Sequence, residues 1–110
     1  MKSAELEPKA QKALEFLHEK SGEHAQARAN ADYLEDWLKV ELARLKGAMI
    51  GTTSDAERTQ IALAHPDYRK ALEAKKTAAE IHFTNVYKRD AANAFVGAWQ
   101  TACANERKLP

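Results

Sequence analysis

Glu15 and His18 stand three residues apart in the run Glu-Phe-Leu-His, and on a helix such a pair projects from one side. Di-metal helical bundles hold their ions with two such pairs and two further glutamates. One pair is present here, so a metal centre would need a second copy of the chain, with Glu19 or Glu23 close by. So short a motif is more often a solvated helix face than a ligand pair. His24, His65 and His82 have no Cys or second His at ligand spacing. His82 therefore reads as a partly shielded helical histidine and His65 as part of a turn before Pro66. The single cysteine, Cys103, has Arg107 and Lys108 within about a turn. With no histidine at helical spacing to act as a base, an inert thiol is expected. No Gly-x-Ser-x-Gly, phosphate-cradling loop or other nucleophile motif occurs, and there are four glycines in all. A non-enzyme without a cofactor or metal is the expectation.

The pairs Arg69-Lys70, Lys75-Lys76, Lys88-Arg89 and Arg107-Lys108 introduce a second chemistry, contact with phosphates. From Tyr68 onward there are eight Lys or Arg against four Asp or Glu, although the whole chain carries only +1. At 100° per residue Arg69 and Lys76 share one helix face, and Lys70 and Lys88 share another. The result is small patches, enough for weak DNA contact through Arg69, Lys70, Lys76 and Lys88, and otherwise an ordinary solvated surface. A third chemistry is hydrophobic recognition. Tyr33, Trp37, Phe95 and Trp99, with Arg107, are the candidate binding residues, drawn from a surplus apolar strip and the basic last helix.

These residues must be positioned by helices. Alanine, the best helix former, makes up 22 of the 110 residues. It fills little volume, so a deep core is not expected, and thin helical layers completed by a partner are. Pro8 suits a first helical turn, and Ala10, Ala13, Leu14 and Leu17 follow at helical spacing, which predicts a helix over 8–20. Ser21-Gly22 is read as a break or kink. Ala27, Ala31, Leu34, Leu38, Leu42, Leu45 and Met49 then step by four and three, predicting a long helix over 23–50. Tyr33, Trp37 and Val40 form a second strip beside that stripe. Gly51-Thr52-Thr53 ends the helix, and Ser54-Asp-Ala-Glu57 is a capping box opening a short helix over 55–64 that carries Ile61, Ala62 and Leu63. Pro66 closes that helix and opens the last one, expected over 67–105 and about 55–60 Å long, with Leu109-Pro110 as a frayed tail. Its stripes are Leu72, Ala79, Phe83, Val86 and Ala78, Ile81, Ala92, Phe95, Trp99, Ala102.

The expected fold is a single all-α domain: two long antiparallel helices, a short helix in the connection and an N-terminal helical segment. Setting Ile50 beside Tyr68 pairs Leu45 with Leu72 and Leu38 with Ala79, and brings the N-terminal helix near Phe95 and Trp99. One hairpin covers one stripe per helix. The Tyr33–Trp37–Val40 strip then needs either the N-terminal helix folded back over it or a second copy of the chain, and a dimeric or larger bundle, a coiled coil in kind, is the expectation. No window has the roughly 18 apolar residues of a membrane span, and a lone cysteine suits a reducing compartment.

One pattern resembles a known group. Ala29-x-Ala31-x-Tyr33-Leu34-Glu35, Leu38-Lys39-Val40, Ser54-x-Ala56-Glu57-Arg58, Ala62-x-Ala64-His65-Pro66-x-Tyr68 and Trp99-x-x-Ala102-x-Ala104-Asn105-x-Arg107 look like a family of small helical bacteriophage and prophage proteins of early, recombination- or replication-associated regions. Where those have Trp-Arg, this chain has Trp99-Gln100. The resemblance covers residues 27–107 and implies a cytoplasmic location in a bacterial host and no catalytic residues. It implies no established activity; together with the surplus apolar strip and the basic last helix it leads to the expectation of an accessory role in phage recombination, replication or host takeover, by binding a phage or host protein or DNA. A structural or assembly protein of the virion is the alternative, and a di-metal bundle enzyme built on Glu15 and His18 a more distant one.

Overall fold

A computed structural model describes residues 2–49, 51 and 54–108. Three helices account for nearly all of them: α1 (Ser3–Ala48), α2 (Asp55–Ala64) and α3 (Pro66–Arg107). The all-α class and the succession long, short, long agree with the expectation. Ile50, Thr52, Thr53, Leu109 and Pro110, which carry one expected pairing, part of the expected stop and the expected tail, lie outside the described residues.

The expected break at Ser21-Gly22 is corrected: α1 runs through it as one helix. Ser21 turns its hydroxyl back to donate to the His18 carbonyl at 3.1 Å, so its polar group is satisfied without leaving helical geometry. Gly22 is exposed, and its cost of about 1 kcal/mol is small against a helix of 46 residues. The expected N-terminal helix is thus not a separate element but the first part of α1. Pro8 sits in the second turn of α1 rather than opening it, with helix both before and after.

The residues that α1 withdraws from solvent recur at alternating three- and four-residue steps, among them Leu6, Ala10, Ala13, Leu17, His24, Ala27, Ala31, Leu34, Leu38, Glu41 and Leu45. On α3 the same steps run through Ala71, Lys75, Ala78, His82 and Asn85, and again through Ala92, Val96, Trp99 and Cys103, with Arg89 exposed between them. A mean step of 3.5 residues is the seam of a coiled coil. Among the described residues the buried apolar side chains are Leu6, Leu38 and Leu45 and seven alanines, and no large side chain is completely buried. Alanine at the contact permits helix axes at the short end of the roughly 8–10 Å range. The expectation that the apolar stripes of α3 include Ile81, Phe83 and Phe95 is corrected accordingly, because these three are exposed. Ala62 likewise carries the packing of α2, at 0% exposure, while Ile61 and Leu63 face solvent.

The chain forms two compact units, Met1–Ala25 with Phe83–Pro110, and Gln26–His82. In the first, α1 and α3 run antiparallel: the Ser3 amide donates to Glu106 at 2.8 Å, the Ser3 hydroxyl donates to the same carboxylate, and Lys9 Nζ lies 5.7 Å above the Phe95 ring. Glu106 thereby satisfies one of the orphan N–H groups at the start of α1, where the helix dipole favours an anion. In the second unit Ser54 caps α2, its hydroxyl accepting from the Glu57 amide at 3.2 Å, which is the serine half of the predicted capping box. His65 Nδ1 accepts from the Asp67 amide at 3.0 Å and so caps α3. Lys46 in the last turn of α1 pairs with Asp55 at 2.9 Å. Arg44 reaches Asp67 at 3.1 Å, whereas the expected register set it opposite Glu73, so α1 and α3 are displaced from that register by about two turns. The seam explains the shift: it aligns alanines and leucines rather than the largest apolar groups.

Replacing Ala10, 1% exposed, with leucine should force the first unit's helices apart and cost about 1–3 kcal/mol, measured by urea unfolding. Gly22→Ala should act in the other direction. A methyl group there meets nothing within 4 Å, so the gain is the helix-propensity difference of about 1 kcal/mol; a loss of stability would show that residue 22 is not helical.

Candidate binding surfaces

Tyr33, Trp37 and Val40 step by four and three along one side of α1, next to the seam rather than in it. They are 61%, 41% and 54% exposed, and the Tyr33 and Trp37 rings stack with centroids 6.4 Å apart and planes 15° from parallel. The pair is ordered by its own contact and the four-residue helical step, so little side-chain freedom remains to be lost on binding. Asp32 and Asp36 lie four residues apart along one edge of this strip, and both are exposed.

Below the strip, Glu41 occupies a buried seam position at 6% exposure, where a carboxylate without a partner would be costly. Arg44 supplies that partner, donating through Nε at 3.0 Å and through a second nitrogen, while also holding Asp67. Hydrogen bonding to Glu41, the largest influence, raises the Arg44 pKa above its ordinary value; desolvation, next in size, opposes it, and the Glu41 charge and then Asp67 add smaller upward effects. The guanidinium is committed to these two acids, so it does not offset Asp32 and Asp36.

The first unit carries a different surface. Lys9, Lys12, Ala13 and Phe16 of α1 face Lys88, Ala91, Ala92 and Phe95 of α3 across an open groove of about 460 Å³. Alanines, phenylalanines and three exposed lysines line it. Phe16 is half-buried with its ring edge-to-face against His24, centroids 5.6 Å apart; Phe95 is 43% exposed.

Of the residues singled out from the sequence, Tyr33 and Trp37 fall on one surface, and Phe95 and Lys88 line the other. Trp99 is half-buried at a seam position and Arg107 is exposed, its Nε donating to the Cys103 carbonyl at 3.4 Å as a helix C-terminal tie. Arg69, Lys70 and Lys76 are exposed, and the groove gathers none of them. Sequence reasoning missed Lys9, Lys12 and Phe16, which join Lys88 and Phe95 only through the pairing of two distant segments. Glu15 and His18 are exposed, and among the described residues of the single chain no three His, Cys, Asp or Glu side chains come together as a metal site. Cys103 is a half-buried free thiol.

No protein-family model, curated protein or solved structure matches the chain. Among the described residues no helix is long and apolar enough to cross a membrane.

Two carboxyls are held below their ordinary values: Glu106, chiefly by hydrogen bonds from the Ser3 hydroxyl and amide, and Asp55, chiefly by its hydrogen bond and charge contact with Lys46. A depressed folded pKa adds stability that is present above the ordinary carboxylate pKa of about 4 and disappears as the pH falls through the lowered value. Protection of the Ser3 amide from hydrogen exchange should therefore fall on acidification through and below that range. In Glu106→Gln it should be weaker at neutral pH and lack this acid step.

Proposed function

We propose that this chain is a non-enzymatic, self-associating binding protein that works through its exposed aromatic surfaces. Its setting in this reading is a bacteriophage or prophage accessory role in recombination, replication or host takeover, inside the bacterial host cell. The setting rests on the resemblance of the Ser54–Arg58, Ala62–Tyr68 and Trp99–Arg107 motifs to phage proteins. The binding role rests on the stacked, solvent-facing Tyr33–Trp37 pair beside Val40. A contiguous apolar face of this kind, with the chain's own alanine seam already satisfied, marks a contact surface.

Light scattering across a concentration series tests the binding role. The purified chain should form dimers or larger species, and Tyr33→Ala/Trp37→Ala should weaken that association about thirtyfold or more, since truncating a central aromatic anchor costs about 2 kcal/mol. A chain that stays monomeric at high concentration, or one indifferent to the double substitution, would remove the strip from the reading.

Direct DNA contact is a second reading, favoured by Lys9 and Lys12 joining Lys88 around one groove in addition to the exposed Arg69, Lys70 and Lys76. Three to six phosphate contacts would make affinity fall steeply with salt; a complex whose affinity is flat across salt, or no gel shift at low salt, excludes it.

A further inference from the structure

The groove and the strip have complementary chemistry. Three exposed lysines line an otherwise alanine and phenylalanine groove in the first unit, and the occupant that fits is apolar with carboxylates at its edge, because lysines desolvated by a docked surface need anionic partners. Residues 31–41 supply both. They carry Asp32, Glu35, Asp36 and Glu41 against Lys39 alone; Glu41 is engaged by Arg44, while Asp32, Glu35 and Asp36 are exposed. Tyr33, Trp37 and Val40 supply the apolar face.

We propose that the Tyr33–Trp37–Val40 face of one copy of this chain, edged by Asp32 and Asp36, seats in the Lys9–Lys12–Lys88 groove of a second copy. The inference rests on the self-association proposed above and assigns its two halves. From Tyr33 to Val40 the strip spans about 10 Å of helix, and the groove volume of about 460 Å³ lies within the roughly 300–1,000 Å³ of sites that take a compact apolar group. Single-stranded nucleic acid also combines π-faces with anionic charge, but it needs an open ring to stack on. Lys9 already stands over the Phe95 ring, and Phe16 is half-buried against His24. An aromatic side chain entering edge-on meets neither obstacle. If a two-fold axis relates the copies, the contact forms twice and closes a dimer; without closure the copies add head to tail.

A charge swap tests the assignment. Lys12→Glu/Lys88→Glu and Asp32→Lys/Asp36→Lys change exposed residues, and circular dichroism should show unaltered helicity in both. Sedimentation velocity should show that each variant alone self-associates at least about tenfold more weakly than the original chain, because like charges now meet. An equimolar mixture should regain association, since both groove-strip contacts between unlike chains are again complementary, and high salt should weaken the original complex. Variants that associate alone as well as the original chain, or a mixture that stays apart, overturn the proposal. If the lysine variants associate normally while Trp37→Ala does not, the strip still self-associates but elsewhere, and only the groove assignment fails. A monomeric chain that binds a single-stranded oligonucleotide, and loses it with Lys12→Glu/Lys88→Glu, gives the groove to nucleic acid and overturns the proposal.

Discussion

Close contact between antiparallel helices through alanine is the constraint from which the other features follow. Ala10, Ala13, Ala71, Ala78, Ala92 and Ala102 are buried, and each contributes one methyl group, worth about 0.8 kcal/mol of transfer free energy. A seam of this kind gains little per residue and depends on length, good helix propensity and close backbone approach. Most of its buried positions are alanine, and few take large side chains. Ile81, Phe83, Phe95, Tyr33 and Trp37 are exposed because the helices meet on their smallest residues, and the bulky ones are turned to the flanks.

A thin seam places weight on its ends and on its polar members. Glu106 completes the first turn of α1, and Lys46–Asp55 ties α2 to the end of α1. Glu41 sits where an apolar residue would have done, and the arrangement tolerates it because Arg44 brings charge compensation to it and to Asp67 at once. Such a buried acid contributes little net stability; its arginine is on the same helix, so a slip of α1 against α3 would break the Arg44–Asp67 contact and leave the Glu41 pair intact. Lys20, His24, His82 and Asn85 add further polar seam positions, so the helices are held in place by pattern as much as by apolar area.

The groove and the strip share a physical origin. The groove exists because alanines at 13, 91 and 92 leave space between flanking phenylalanines and lysines. The strip exists because residues 33, 37 and 40 fall just off the seam. Each is carried on helical backbone, which restricts the freedom its side chains would lose in a contact.

The helical class, the short middle helix with its Ser54 cap, the Pro66 boundary and the apolar strip at Tyr33, Trp37 and Val40 were legible from residue order, because propensity, capping and 3.6-residue periodicity are local properties. Three features were not. Ser21-Gly22 was ambiguous, since a glycine's cost is decided by whether the surrounding helix is held elsewhere. The register followed alanine rather than the large apolar residues, and one stripe of side chains cannot reveal which of several offsets packs most closely. The Lys9–Lys12–Lys88 groove joins segments about 75–80 positions apart. The chain by itself determined which faces are greasy, charged or helical; only tertiary packing decided which of those faces meet, because that choice depends on how near two backbones can come.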